Sequence, residues 1–242
     1  MQEVEDKSNE IAVGNIIKKA LDSGRTALSE SEAAKVFSEY GVPVVEGVLC
    51  ENPDSAAEAS KKTGFPIVLK LCSPDVAHKK EKGFVQLGLT EPEAVREKSI
   101  EMLAKADGLS VEGLLVQRMM NGERELLAGM RRDPVFGTCV TLGLGGIFTE
   151  ALNDIAVRVA PVERSDMEQM IEDLSSKSFF GQYRGLPEID MEKLLGVLKG
   201  LGDLGLEHAE IKEIDANPLV IDEHGRPVAV DALVILENGG GA

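Results

Sequence analysis

The sequence has no tryptophan, and aromatic residues make up only 4% of its 242 residues. Few side chains are therefore available to stack on nucleic-acid bases. Basic residues are also scarce, because 26 Lys and Arg stand against 42 Asp and Glu and give a formal net charge of −16. A chain of this charge offers no wide basic surface, so nucleic acids and anionic membranes are minor hypotheses for its partners.

Cysteines are few and far apart, at Cys50, Cys72 and Cys139. An odd number cannot pair completely within one chain, which predicts reduced, buried thiols rather than a disulfide framework. No apolar run approaches the roughly 18 residues that a membrane-spanning helix needs. The N-terminus, MQEVEDKSNE, is acidic rather than signal-like, and together these absences favour a cytoplasmic protein.

Local patterns predict an α+β protein. Ser or Thr with Glu at the third following position predicts helix starts at Ser29, Thr90 and Ser165. Short apolar runs bounded by Gly, Pro or polar residues predict strands. In the first half these runs are 42–50, 66–72, 84–89 and 113–119.

From Glu123 onward the strand-like runs come closer together, and helical segments are predicted near 166–176 and 191–204. Two α+β lobes that meet near 119–122 fit this order of strands and helices better than one parallel sheet. A cleft between lobes is a natural ligand site. The predicted organisation is an N-terminal extension at 1–27, a first lobe at 28–118, a second lobe at 119–237 and a flexible tail at 238–242.

The glycine-rich run from Gly143 to Phe148 begins like a dinucleotide-binding fingerprint, but Phe148 stands where the third glycine belongs. The following residues, TEALND, do not resemble the first turn of an apolar helix, and no GxxxxGK[ST] motif is present. These observations exclude a Rossmann site and a P-loop, so any nucleotide is held by other means.

Lys70 lies within an apolar strand-like run, where a buried ammonium group needs an anionic partner. It either binds an anion or lies on a solvated strand face. The polar loop 73–83, SPDVAHKKEKG, carries several cations that suit a polyphosphate, although a solvated hairpin is the simpler interpretation. Within this loop, neighbouring lysines favour the neutral, nucleophilic imidazole of His78, while most single loop histidines are merely exposed.

Oxygen ligands cluster in the C-terminal run. Asp215 and Asn217 are two residues apart and share one face of a strand, and Asp231 can return beside them after a turn at 224–227. Such oxygens hold Mg²⁺ while phosphates complete its coordination. A charged hairpin surface explains the same pattern equally well. Arg158 and Arg184 could face a phosphate, but an ion pair with an acidic residue is the more economical explanation for each.

In their order along the chain, the motifs resemble an ATP-grasp domain. More closely, they resemble the beta subunit of archaeal ADP-forming acyl-CoA (acetate–CoA) synthetases, which is related to the beta subunit of succinyl-CoA synthetase. The similarity runs from about Leu28 to about Leu236 and implies two α+β lobes that enclose a nucleotide cleft. The motifs that carry it are GFPIVLK, SPDVAHK, LLVQRM, GERELLAGMRRDPVFG, GLGGIFTE, RVAP, YRGLPEID and EIDANPLV followed by VDA.

The resemblance implies a role for each matching position. Catalytic roles in handling the transferred phosphate fall on His78, Arg158 and Arg184. The implied nucleotide-binding residues are Lys70, Gly83, Val116, Gln117, Met119 and Glu125. The implied Mg²⁺ ligands are Asn217 and Asp231, with Asp215 beside them. The loop after His78 departs from the family pattern T-D-V-G-G-V, because only Gly83 remains of the doubled glycine and fewer backbone N–H groups can approach phosphate.

The resemblance further implies a magnesium-dependent ligase that converts acyl-CoA, ADP and phosphate to acid, ATP and CoA through a phosphohistidine relay. It also implies an alpha subunit that carries the CoA site and the first phosphohistidine, in an alpha2beta2 heterotetramer. Three alternatives remain: a beta-type subunit of another acid–thiol ligase such as succinyl-CoA synthetase, a single-chain enzyme that makes an acyl phosphate, and a non-catalytic nucleotide-sensing subunit.

Overall fold

The structure is a computed structural model that describes residues 2–76, 79, 82–146, 154–183 and 185–237. The chain divides into two compact units, each with its own sheet and hydrophobic core. The smaller unit comprises Ser29–Ser31 and Val45–Met120, and the larger comprises Met1–Leu28, Glu32–Val44 and Asn121–Ala242. This division differs from the predicted boundaries mainly in grouping residues 1–28 and 32–44 with the C-terminal half.

The smaller unit contains a four-stranded antiparallel sheet in the order β1-β4-β2-β3 and two helices. Its strands are β1 (Gly47–Cys50), β2 (Ile67–Cys72), β3 (Val85–Leu89) and β4 (Gly113–Arg118), and its helices are α3 (Pro53–Thr63) and α4 (Pro92–Lys105). All six residues of β2 are buried, which explains why this strand reads as a continuous apolar run around Lys70. The four strands predicted in the first half form, although β1 begins at Gly47 rather than at residue 42.

The larger unit contains an antiparallel sheet in the order β10-β8-β5-β6-β7, with β9 paired to β8. Its strands are β5 (Arg124–Asp133), β6 (Gly137–Leu144), β7 (Ile155–Val159), β8 (Ile211–Ile221), β9 (Pro227–Ala229) and β10 (Leu233–Leu236). The helices are α1 (Gln2–Asp22), α2 (Glu30–Glu39, whose first two residues belong to the smaller unit), α5 (Arg164–Asp173) and α6 (Met191–Glu207). A short 3₁₀ helix spans Lys177–Phe179.

Helix α1 belongs to the core of the larger unit, although the sequence indicated only an extension there. Val13, Ile17 and Ala20 are at most 2% exposed, and their spacing places them on one helical face. The charged residues between them obscure this short apolar stripe in the sequence. The described part of the chain contains no helix both long enough and apolar enough to cross a membrane.

Two predicted helix caps were wrong, although the helices themselves form. The N-cap of α4 is Glu91 rather than Thr90, because Pro92 occupies the first helical turn. The N-cap of α5 is Glu163 rather than Ser165, and Glu163 forms a capping box with Asp166. The prediction for the cysteines is confirmed, because all three are buried free thiols.

Candidate functional site

Lys70 is buried and bonded to an anion. Its position in β2 places it opposite Val85 of β3 and Leu115 of β4, and the residue is only 5% exposed. The Lys70 Nζ donates a hydrogen bond of 2.6 Å to Oε1 of Glu30, which is itself 2% exposed. The interpretation that places Lys70 on a solvated strand face is therefore wrong. The expectation that its ammonium group has an anionic partner is confirmed.

Lys79, from the predicted cationic loop, is also buried rather than solvated. Its Nζ lies 3.0 Å from Oε2 of Glu30, and its carbonyl accepts a bond from the Phe84 N–H. Lys82 is exposed, and its carbonyl accepts a bond of 2.6 Å from Lys105 Nζ. Residues 77–78 and 80–81 lie outside the described residues, and this includes the predicted catalytic residue His78.

Gly83 adopts a left-handed conformation at φ +70°, where most other residues are strained. A Cβ atom added here would also lie 2.6 Å from Lys105 Nζ, although that flexible side chain could move. The single glycine of this loop is therefore required by the backbone conformation itself. Whether it contacts phosphate stays a prediction.

The predicted adenine-binding residues lie at the end of β4. Gln117 is 3% exposed, and its Nε2 donates to the Val45 carbonyl at 3.2 Å. The Val116 side chain is fully buried in the core of the smaller unit, so only its backbone could contact a ligand. The Met119 N–H donates to the Pro66 carbonyl at 3.0 Å. These bonds fix the exit of the chain from β4.

The three predicted metal ligands lie along one hairpin of the larger unit. Strand β8 carries Asp215 and Asn217, and Leu233 of β10 pairs with Asp215. Because Asp231 is two residues before Leu233, the returning chain brings it next to Asn217, as the sequence predicted. The Val230 N–H fixes this return by donating to the Pro218 carbonyl at 3.2 Å.

These donors, all half-buried, are two carboxylates and one amide. Within the described ranges, no group of three or more His, Cys, Asp or Glu residues is arranged to hold a metal ion. The set therefore does not resemble a closed all-protein cage. It fits Mg²⁺, which commonly takes one or two carboxylates and completes its shell with water and phosphate oxygens.

Glu125 lies on β5 opposite Val220, beside the glycine-rich end of β6. The Gly145 N–H donates to the Glu125 carbonyl at 2.7 Å, and a Cβ at Gly145 would come within 2.7 Å of the Leu126 carbonyl oxygen. A Cβ at Gly146 would come within 2.9 Å of Glu125 Oε2. These two glycines therefore allow close packing against β5, in agreement with the exclusion of a Rossmann site.

Arg124 is a buried cation that sequence analysis missed. The residue is only 3% exposed. Its guanidinium Nη1 donates to the carbonyls of Phe179 at 2.8 Å and Gly181 at 3.2 Å. Its Nη2 donates to the Pro187 carbonyl. Burial lowers the pKa of Arg124. Because every residue carries a backbone carbonyl, no local sequence pattern indicated that Arg124 would be buried with such partners.

Two further arginines were predicted to face phosphate. Arg184 lies outside the described residues. Arg158 lies on the edge strand β7, and its Nη2 is 2.7 Å from Oδ2 of Asp173 on α5. An ion pair thus satisfies Arg158 here, and its role toward phosphate stays a prediction.

Comparisons with known proteins show which family the chain resembles. The model of the ATP-grasp domain family matches residues 19–236. The beta subunit of acetate–CoA ligase [ADP-forming] I of Pyrococcus furiosus is 37% identical over 91% of this chain and 96% of its own length. The chain spans only 32% of two longer curated relatives.

Solved structures show the same similarity. Acetyl-coenzyme A synthetase 1 of Ca. Korarchaeum cryptofilum, in complex with coenzyme A, Ca-AMPCP and HgCl⁺, matches with a TM-score of 0.86 and 36% identity. The match covers 92% of this chain and 99% of that one. A second structure of that protein, with coenzyme A and Mg-AMPPCP, has a TM-score of 0.80 and 36% identity, covering 93% of this chain and 100% of that one.

Proposed function

Because the chain belongs to the ATP-grasp family, among the beta subunits of ADP-forming acetate–CoA ligases, we propose that it binds ADP or ATP and transfers phosphate in such a ligase. The reaction converts acyl-CoA, ADP and phosphate to acid, ATP and CoA. The observation that supports the proposal is the buried Lys70, which lies in β2 opposite Leu115 of β4 and which we assign as the phosphate-binding lysine. Phosphoryl transfer depends chiefly on such positioning and on charge neutralisation.

The nucleotide phosphates contact Lys70, and the backbone near Gly83 approaches them from the loop before β3. The adenine ring is recognised at the end of β4, by Gln117 and by backbone groups of Val116 and Met119. Since the Met119 N–H donates to Pro66, the Met119 carbonyl is the group suited to accept a bond from the adenine amino group. Glu125 contacts the ribose or phosphates.

Asn217, Asp231 and Asp215 would hold Mg²⁺. The ion, when bound, neutralises phosphate oxygens and helps orient the transferred group. These residues lie on β8 and on the segment before β10, whose ladder fixes their spacing. A rigid ladder favours a reproducible ligand geometry because its side chains have little freedom to move apart.

His78 receives phosphate from a histidine of the partner subunit and passes it to ADP, because an imidazole nitrogen can form a phosphoramidate that transfers its phosphate readily. Arg158 and Arg184 stabilise the transferred phosphate. For Arg158 this requires exchange of Asp173 for the phosphate. The relay divides one transfer into shorter steps.

The partner is an alpha subunit that supplies the CoA site and the first phosphohistidine in an alpha2beta2 assembly in the cytoplasm. The similarity to a protein named as a beta subunit supports this, since that name implies a second subunit. The isolated chain should therefore bind nucleotide but lack overall ligase activity. Addition of the matching alpha subunit should restore ATP formation from acetyl-CoA, ADP and phosphate.

A direct test compares nucleotide binding and ATP formation for Lys70→Met and His78→Ala. Lys70→Met should weaken Mg-ADP binding by on the order of 100-fold, because a charge-assisted contact to phosphate is lost. His78→Ala should keep nucleotide binding but abolish ATP formation in the assembled enzyme. Lys61→Met, an exposed lysine of α3, is the matched control. Full ATP formation by His78→Ala would contradict the relay, and Mg-ADP binding without any histidine phosphorylation would favour a sensing subunit.

A further inference from the structure

A single buried carboxylate holds two lysines of the smaller unit. Glu30 Oε1 accepts the bond from Lys70, and Oε2 lies 3.0 Å from Lys79 Nζ. Each carboxylate oxygen is thus used by a different ammonium group. All three residues are at least 93% buried, at exposures of 2%, 5% and 7% for Glu30, Lys70 and Lys79.

Two ammonium groups this well buried need an anion, because desolvation of a charge is costly and the two cations repel each other. The single carboxylate of Glu30 is the anion for both ammonium groups and offsets both the cost of their desolvation and their mutual repulsion. It also fixes the direction of the Lys70 ammonium, since a charge-assisted hydrogen bond has a defined length and angle, and it holds the Lys79 ammonium close by an ion pair. The residues come from different parts of the chain, since Glu30 precedes Lys70 by 40 positions.

We propose that Glu30 is a positioning residue for nucleotide binding, which presets the ammonium groups of Lys70 and Lys79 for the phosphates. This inference rests on the proposed function, because it requires that Lys70 contact nucleotide phosphate. An ammonium group can donate up to three hydrogen bonds, so bonds to Glu30 and to phosphate are compatible in one lysine. Presetting lowers the entropy lost when the nucleotide binds.

The same helix provides a matched control. Glu32, two residues after Glu30 in α2, pairs instead with Arg25 at 2.7 Å. Glu32→Gln therefore removes one carboxylate charge and the ion pair with Arg25 from the same helix, and leaves the contacts of Glu30 with both lysines in place. Any effect common to Glu30→Gln and Glu32→Gln reports helix stability rather than lysine positioning.

The experiment titrates the full chain with Mg-ATP and with AMP by calorimetry. Glu30→Gln should weaken Mg-ATP binding by about tenfold, because a neutral amide that also presents N–H donors no longer holds two ammonium groups. Binding of AMP, which lacks the outer phosphates, should change by less than about twofold. Glu32→Gln should leave both affinities unchanged. Unchanged or tighter Mg-ATP binding by Glu30→Gln would overturn the proposal, since tighter binding would mean that Glu30 competes with phosphate.

A double-mutant cycle with Lys70→Met separates positioning from general destabilisation. If Glu30 acts through the lysines, its substitution should cost clearly less in the Lys70→Met background, whereas additive effects would contradict the proposal. Weakened binding by Lys70→Met with normal binding by Glu30→Gln would refute only the role of Glu30. Normal binding by Lys70→Met would refute the proposed lysine contact and this inference with it. If Glu30→Gln does not fold, Glu30→Asp, which keeps the charge but shortens the reach, replaces it and should show a smaller loss of the same kind.

Discussion

At the scale of single residues, the buried cations of this protein are satisfied in two different ways. Lys70 and Lys79 use a carboxylate, whereas Arg124 uses three backbone carbonyls. A guanidinium suits the second task because its planar group carries five N–H donors in a fixed geometry. Arg124 therefore ties Phe179, Gly181 and Pro187 to strand β5.

Arg124→Met should destabilise the protein by about 3 kcal/mol, because it leaves buried carbonyls without their donor. Urea denaturation would measure the loss, and limited proteolysis should show faster cleavage within 179–187. Arg131→Met provides the control, since Arg131 is exposed on the same strand. Equal effects of the two substitutions would contradict an anchoring role for Arg124.

A second feature at this scale is the hydrogen-bonded pair of Tyr40 and His208. The Tyr40 hydroxyl donates to the Glu207 carboxylate, and His208 Nε2 lies 2.9 Å from the same hydroxyl oxygen. Since the single hydroxyl proton is used by Glu207, His208 Nε2 must carry the proton of its own bond. Burial lowers the pKa of His208, against the opposing charges of Glu207, Glu210 and Glu10.

This lowered pKa predicts a pH-dependent stability. The unfolded chain takes up a proton on His208 more readily than the folded one, so the contribution of the neutral ring is complete above about pH 6.5 and declines as the pH falls below it. The urea midpoint should therefore decrease between about pH 7.5 and pH 5.5. His208→Gln should flatten this decrease, and His224→Gln should not, because His224 is exposed. An identical pH profile for wild type and His208→Gln would disprove the assignment.

At the scale of elements, helix α6 depends on glycines that face its neighbours. A Cβ at Gly200 would lie 2.3 Å from the Tyr40 carbonyl oxygen, which is backbone and cannot move aside cheaply. At Gly196, on the exposed side, a Cβ would meet nothing within 4 Å. The same residue type therefore has opposite roles on the two faces of one helix.

Alanine at these two positions should change stability in opposite directions. Gly200→Ala should cost about 2 kcal/mol or more through overpacking. Gly196→Ala should add about 0.5 to 1 kcal/mol, because alanine loses less backbone entropy in a helix. Chemical denaturation measures both, with each variant as the control for the other. Stabilisation by both alanines would show that helix propensity, rather than packing, dominates at Gly200.

At the scale of the whole molecule, the formal charge of −16 is the dominant property. Like charges repel over distances that salt shortens, from about 30 Å at 0.01 M to about 8 Å at 0.15 M ionic strength. Raising NaCl from about 10 to about 300 mM should therefore raise the thermal midpoint by relieving self-repulsion. The non-ionic solute sucrose is a control for excluded-solute effects. A midpoint that falls with NaCl would mean that attractive ion pairs outweigh the repulsion.

Much of the architecture follows from local patterns. The predicted strands form, and the predicted hairpin brings Asp231 back beside Asn217, because a strand's period and a turn's position are encoded in neighbouring residues. The helix starts at Thr90 and Ser165 were misplaced by one or two residues, since several adjacent residues could cap each helix. Helix α1 was missed because its apolar stripe is narrow.

From the sequence alone, Lys70 could be placed in an apolar strand, with an anionic partner and a solvated strand face both open, and two carboxylates and an amide could be placed on one C-terminal hairpin. The folded chain shows that Lys70 is buried against Glu30, that Glu30 also holds Lys79, and that Arg124 binds carbonyls 55 to 63 residues away. The physical reason is distance along the chain. Periodicity reports which face of an element is buried, whereas the partner of a buried charge depends on which distant segment packs against it.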